Sequence, residues 1–316
     1  MGIIATPMDY NESDLFIDLC DLVPGSLFLK CEGFNFAGSI KLKTATAMVD
    51  AAERDGLLRP GSVLVESSSG NLGVALSMIA RNRGYRFVCI TDSRCNLPTR
   101  RLMETLGAEV IVATDASGPG GLLGARLRLL HAMRSADPRV VWLNQYANPA
   151  NWQAHTATTG PEIEKWFPEL DVLFVGAGTT GTLMGCARYF RENGHRVTVV
   201  AVDAEGSVTF GAPPAKRAIP GLGTGVRPAL LDPGLVDDVV HVSEVDTVAA
   251  CRSLAGRGFL LGGSTGTVLS GAIRWLNAND TGRDLVSVAI SPDCGERYLE
   301  SVYDTDWVAA NIGGSG

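Results

Sequence analysis

No stretch of this chain is apolar over the about 20 residues that a membrane-spanning helix needs. Residues 1–11 lack the basic and apolar regions of a secretory leader, so a cytoplasmic protein is the expectation. Cysteine is sparse and unpatterned. The seven residues, Cys20, Cys31, Cys89, Cys95, Cys186, Cys251 and Cys294, are odd in number and contain no C-x-x-C, which argues against a disulfide framework or a zinc site. His131, His155, His195 and His241 are scattered, so neither a metal-ligand set nor a Cys/His nucleophile pair is expected. Net charge is −7 and no basic run is long enough for a nucleic-acid stripe. Internal repeats and low-complexity linkers are absent as well. What remains is the composition of a folded enzyme, with 46% hydrophobic residues and 37 glycines spread over 316 positions. That length suffices for one large domain or two medium ones sharing a cleft.

Runs rich in Val and Ile alternate with helical patterns. SVLVESS (62–68), RFVCITD (86–92), EVIVAT (109–114), VVWLNQY (140–146), DVLFVGAG (171–178) and RVTVVAVD (196–203) each read as a strand. DDVVHVS (237–243) and DLVSVAI (284–290) follow, and a helix is predicted near 151–167. This alternation means an α/β fold with mostly parallel strands covered on both faces. Ligands in such sheets lie beyond the carboxyl ends of the strands. Those ends read ESSSGNLG, NQYANPAN, GAGTTGT and SPDCGER.

GAGTTG (176–181) matches the glycine fingerprint of dinucleotide-binding proteins, with Asp203 ending the next strand 22 residues after Gly181. Alone it would suggest NAD. Thr179, Thr180 and Thr182 instead add hydroxyls to the N–H groups of the helix start, which suits a compact phosphate monoester. In ESSSGNLG (66–73), three consecutive serines supply donors at a helix N-terminus, more than a simple cap requires, and a carboxylate would bind there. In GLLGARLRLLHAM (121–133), Leu122, Leu123, Leu127, Leu130 and Met133 share one helix face with Arg126 in its middle. A guanidinium in an apolar stripe needs an anion, either an acidic side chain or an anionic substrate group.

Taken in order, these loops resemble the pyridoxal-phosphate (PLP) β-replacement enzymes of the cysteine synthase and cystathionine β-synthase type, the fold-type II group. The lysine motif stands as NFAGSIK, the carboxylate loop as ESSSGNLG and the phosphate loop as GAGTTGT. NPANWQAHTATTGPEI (148–163) and SPDCGERYL (291–299) complete the set. The resemblance implies two three-layer α/β/α domains with mostly parallel sheets, of the tryptophan synthase β-like fold. It divides the chain into residues 1–146 and 147–316, with a segment roughly spanning 12–35 crossing over. It places the Schiff-base lysine at Lys41, the cofactor phosphate at Gly178, Thr179, Thr180, Gly181 and Thr182, and the ring hydroxyl at Asn71. Ser68, Ser69, Gly70, Asn71 and Gln145 would bind the substrate, its carboxylate meeting Ser68, Ser69 and Gln145. Cys294 would stand against the pyridine nitrogen, where cysteine synthases have serine, and Lys43 replaces their usual arginine; both are departures.

Finer features, including AVDAEGSVTFG, IPGLGTG and GGSTGT, look most like the 2,3-diaminopropionate synthases of siderophore and peptide-antibiotic pathways. Those enzymes join O-phospho-L-serine to L-glutamate through an aminoacrylate and release phosphate. In that resemblance Arg126 holds the leaving phosphate, and Tyr146 shapes the second-substrate pocket. A homodimer acting on small amino acids, with no membrane or nucleic-acid partner and no metal, is implied. Cysteine synthase chemistry on O-acetylserine or O-phosphoserine with sulfide is the nearest alternative. An NAD oxidoreductase explains only GAGTTG and Asp203, and a non-catalytic module would not need Lys41.

Overall fold

The computed structural model describes residues 3–115, 117–118, 121–280 and 282–312. Its elements begin with β1 (Phe16–Asp18), β2 (Ser26–Cys31), α1 (Lys41–Arg54), β3 (Val63–Ser67), α2 (Asn71–Arg83) and β4 (Arg86–Thr91). Next come α3 (Leu97–Thr105), β5 (Glu109–Val112), α4 (Gly121–Ala136), β6 (Val140–Trp142), α5 (Pro149–Ala157) and α6 (Thr159–Trp166). The rest are β7 (Val172–Gly176), α7 (Gly181–Glu192), β8 (Thr198–Ala204), β9 (Asp238–Val242), α8 (Glu244–Gly256), α9 (Gly263–Asn279), β10 (Val286–Ser291) and α10 (Thr305–Asn311). No described helix is long and apolar enough to cross a membrane.

The strands form two sheets. One has the order β5-β4-β3-β6 and is parallel throughout. The other has the order β1-β2-β10-β7-β8-β9, parallel except for the antiparallel β1–β2 pair. The first two strands therefore belong to the sheet that is otherwise built from the second half of the chain.

Alternation along each strand explains the layers. Leu64, Phe87 and Cys89 face α1 and α2, where Met48, Leu76 and Ile79 lie. Val63, Val65, Val88 and Ile90 face α4 through Leu130. In the second sheet Val172, Phe174, Val200 and Val202 meet α9 through Val268, Leu269 and Ala272. Leu173, Val175, Val199 and Ala201 meet α7 through Leu183, Met184 and Phe190. Each sheet thus carries apolar side chains on both faces, as parallel sheets require. The helix predicted near 151–167 is two helices, because Thr158 (φ −129°, ψ −71°) leaves the helical region between them.

Buried charge fixes α1 against this frame. Lys43 Nζ lies 2.9 Å from Glu32 on the segment after β2 and 2.6 Å from Glu162 on α6. Lys30 Nζ lies 3.3 Å from Glu32 and 2.9 Å from the same Glu162 oxygen. Burial alone would raise the Glu32 carboxyl, but Lys43 and Lys30 outweigh it and hold the group below its ordinary value. Glu32 therefore contributes stability at neutral pH that is lost as pH falls below the normal carboxyl range. Glu32→Gln leaves two lysines with one carboxylate between them. We expect a loss of about 3–5 kcal/mol, the cost of breaking a buried pair. Chemical denaturation at pH 7 measures it, and the difference from wild type should shrink toward pH 4.

Candidate active site

The carboxyl ends of both sheets open onto one cavity of about 670 Å³. It brings together Lys41, Ser68, Ser69, Gly70, Asn71, Arg126, Gln145 and Tyr146, with the cup from Gly178 to Thr182 opposite. Of the positions picked from the sequence, Cys294 does not line it.

Lys41 opens α1 and points into the cavity, whereas Lys43, two residues on, turns toward Glu32 and Glu162. One lysine is thus committed to structure and the other is left for chemistry. Burial lowers the Lys41 ammonium to about 8, because a charged group loses solvation there. A good fraction of its amine is neutral near physiological pH.

The threonine cup is a donor site. No described group accepts from the N–H of Gly178, Thr179, Thr180, Gly181 or Thr182. Thr180 has φ 65°, a left-handed conformation that a β-branched residue adopts only under constraint. A Cβ at Gly181 would lie 2.0 Å from Asn151 Oδ1, so that position must be glycine for the loop to close against α5. Asn151 Nδ2 in turn donates to Thr179 Oγ1 (3.1 Å). His155 Nε2 lies 3.2 Å from Thr182 Oγ1 and 3.0 Å from Thr44 Oγ1 on α1. Burial, reinforced by Lys43, lowers that imidazole to about 3, so it stays neutral and acts as a tie between the cup and the lysine helix. Unpaired N–H groups at a helix start, hydroxyls held in place around them and a lysine with a lowered pKa suit the phosphate and aldehyde of PLP.

In the serine loop, Ser68 Oγ accepts from the N–H of Gly70 (3.3 Å) and Gly73 (3.0 Å), and so braces the first turn of α2, whose N-cap is Gly70. Ser69 makes no hydrogen bond to any described group. Gln145 Nε2 donates to Ser67 O (3.0 Å) at the cavity wall. Asn71 Nδ2 donates to Asp293 Oδ2 (2.8 Å), and its Oδ1 accepts from Arg297. Asp293 also accepts from the Tyr298 hydroxyl.

Cys294 requires a correction. Consecutive residues of the extended closing segment face opposite ways. Asp293 points to Asn71, whereas Cys294 Sγ donates to Gly33 O (3.3 Å) and lines a separate small pocket with Pro98 and Leu102. Burial pushes its thiol up to about 11, so it is uncharged. Among the neutral groups that do line the cavity is Ser264, on the first turn of α9. Its signal in the sequence was GGSTGT, a glycine pair and hydroxyls opening a helix. The dinucleotide reading also falls. Asp203 is fully buried outside the cavity and accepts from Ala204 N (2.9 Å), so no ribose can reach it.

Arg126 is paired with an acidic side chain and still borders the cavity. Its Nε lies 3.1 Å from Asp92 Oδ2 at the end of β4, and its side chain lines the cavity. The apolar face around it is Leu123 and Leu130, with Ala125 buried and Leu127 turned partly outward. Asp92 is shared with Arg94, whose Nη2 lies 3.0 Å away. Two guanidiniums on one carboxylate leave the trio one positive charge in excess. Around the whole cavity Lys41, Arg94, Arg126, Lys216, Arg217 and Arg297 contribute, and no described Asp or Glu lines it. No described cluster of His, Cys, Asp and Glu could hold a metal.

Comparison with known proteins agrees with this geometry. A family model described as "Pyridoxal-phosphate dependent enzyme" matches residues 14–293. The N-(2-amino-2-carboxyethyl)-L-glutamate synthase of Ralstonia nicotianae is 41% identical over 285 residues, 90% of this chain and 84% of that one. The protein of the same name from Cupriavidus metallidurans is 37% identical over 286 residues, again 90% and 84%. Among solved structures, an O-ureido-L-serine synthase superposes with a TM-score of 0.85 at 32% identity, covering 96% of each chain. A hydrogen sulfide-producing enzyme from Fusobacterium nucleatum gives 0.87 at 28% identity, covering 95% of this chain and 99% of that one. With Lys41 and the threonine cup facing each other across the cavity, this chain belongs to the pyridoxal-phosphate-dependent enzymes.

Proposed function

We propose that the chain catalyses β-replacement on O-phospho-L-serine, adding L-glutamate to give N-(2-amino-2-carboxyethyl)-L-glutamate and phosphate. The product would serve 2,3-diaminopropionate synthesis for a siderophore or peptide antibiotic. The observation that carries the reading is the cavity lined by six cationic side chains and no described acid, found in a relative of two synthases of that name. The reacting set is strongly anionic, comprising two phosphates and three carboxylates. Cysteine synthase chemistry on O-acetylserine fits less well, because an acetyl group offers no charge to Arg126. A cytoplasmic homodimer is part of the proposal, supported by the family resemblance and tested by light scattering.

PLP when bound supplies an electron sink that makes the α-proton acidic and lets the β-substituent depart. The chain's own residues do the rest. Gly178 through Thr182 would hold the cofactor phosphate, and Lys41 would hold its aldehyde carbon. Asn71, braced by Asp293 and Arg297, would bind the ring hydroxyl, and Ser264 rather than Cys294 would supply a neutral hydroxyl to the ring nitrogen. Ser69 and Gln145, beside Ser68, orient the substrate carboxylate. Freed by the incoming amine, Lys41 takes the proton from Cα and later returns it. Arg126 receives the leaving phosphate, with Tyr146 beside it.

Mass spectrometry of O-phospho-L-serine with L-glutamate should detect the condensed product and equimolar phosphate. Sulfide consumption without glutamate incorporation would instead support the cysteine synthase reading. For Lys41, covalent capture needs the neutral amine, which forms as pH rises. Attachment of PLP to the apoprotein should therefore accelerate with pH and be half-maximal near 8, against 10.5 for an ordinary lysine. Lys41→Ala should abolish borohydride-stable attachment. Lys43→Ala should keep it on Lys41 while losing stability.

Arg126 is tested by Arg126→Met. A desolvated guanidinium–phosphate contact is worth roughly 1.5–3 kcal/mol, or about ten- to a hundredfold in rate. We expect kcat/KM for O-phospho-L-serine to fall at least tenfold while O-acetylserine is spared, because Arg94 still neutralises Asp92 in the variant. Parallel losses with both donors and a lowered melting temperature would reduce Arg126 to a structural partner of Asp92.

A further inference from the structure

Arg94 and Arg217 stand at the same cavity from opposite halves of the molecule. Arg94 lies in the loop between β4 and α3, and Arg217 lies in the long segment between β8 and β9. No described carboxylate comes within the 4.0 Å of an ion pair with Arg217. The segment that carries it is nonetheless fixed. Glu244 accepts from the N–H of Ala218 (2.8 Å) and Ile219 (2.6 Å), and Ala215 N donates to Gly206 O (3.1 Å). Arg217 itself donates to Gly206 O. The half-buried guanidinium has that carbonyl as its hydrogen-bond partner, while Asp203 and Glu244 favour its charge from beyond ion-pair distance, which leaves its cavity side open to an anion. Burial and then the Arg94 charge lower its pKa, so the two side chains feel each other across the cavity. Arg94 is bound on one side only, by Asp92, and a third of its side chain remains exposed.

We propose that Arg94 and Arg217, facing each other across the cavity, form a clamp for the carboxylates of the incoming acidic amino acid. The clamp adjoins Arg126, which is 4% exposed and shares Asp92 Oδ2 with Arg94, so the nucleophile would sit beside the group assigned to the leaving phosphate. The inference rests on the β-replacement reading above and adds to it the residues that choose the nucleophile. A dicarboxylate relieves the repulsion between the two guanidiniums and joins the two halves through one ligand. Glutamine offers one carboxylate and a neutral amide, and sulfide offers neither. The chemistry that the clamp selects is therefore an amine bearing two carboxylates.

The test uses the PLP-loaded enzyme and the variants Arg217→Gln and Arg217→Lys. Arg217→Gln should raise KM for L-glutamate about ten- to a hundredfold while moving KM for O-phospho-L-serine far less. The preference for glutamate over glutamine should fall by a similar factor, and Arg217→Lys should recover part of it because the charge returns. Titration calorimetry of L-glutamate into wild type and Arg217→Gln reads the same loss without turnover. A glutamate KM or Kd within twofold of wild type overturns the clamp, as does a parallel rise in both KM values. If wild type releases no phosphate from O-phospho-L-serine, the reaction assignment fails, and the calorimetric comparison still decides the clamp.

Discussion

Two lysines and two glutamates that meet out of solvent determine where everything else in this protein can stand. Lys30 and Glu32 come from one end of the chain, Lys43 from the first turn of α1, and Glu162 from α6. Each charge is satisfied only if all three segments keep their places, so the network specifies geometry more than it adds stability. Lys41 inherits that geometry from two residues away. The neutral His155 extends it, through Thr44 and Thr182, to the phosphate cup. Lysine and cup belong to different layers, and a single polar chain registers one against the other.

The cavity itself runs on a charge imbalance. Asp92 tempers two arginines without cancelling them, and the nearest buried carboxylate on the far side, Asp293, is occupied with Asn71 and Tyr298. The protein thus keeps its acids one layer back, where they orient donors, and presents the cations to the ligand. In a site of low dielectric such a surplus strongly favours anions and disfavours neutral look-alikes.

Most of the fold was legible because parallel strands buried on both faces write themselves as continuous Val and Ile runs, and their carboxyl ends carry the glycine and hydroxyl loops. The threonine cup was read at such a strand end, Lys41, Asn71 and Gln145 came from the family resemblance, and all of them line one cavity. What remained hidden depends on direction or on distant partners. Asp293 and Cys294 are adjacent, and only the register of an extended segment decides which one faces the site. Arg126 could be recognised as needing an anion, but Asp92, 34 positions earlier, could not be named from a helix pattern (126 − 92 = 34). The break between α5 and α6 is marked by Gly160-Pro161, which sits in the first turn of α6 and which the single helix predicted near 151–167 passed over. Ser68 lines the cavity and also accepts from Gly73 N, a second task that the serine run did not reveal.

The pairing of β2 with β10 also governs how the chain can acquire its shape during synthesis. Ser26 pairs with Val286, 260 positions away (286 − 26 = 260), whereas the four-stranded sheet is complete by Trp142. The smaller sheet can form while the ribosome is still at work, but the larger one must wait for nearly the last strand. Until then β2 has a bare edge, with Leu27, Leu29 and Cys31 lacking the neighbours that bury them. Such an edge is a template for pairing with another nascent chain. The late-arriving strand both finishes the sheet and ends a period of exposure, so yield in a cell should depend on how quickly β10 follows the strands before it.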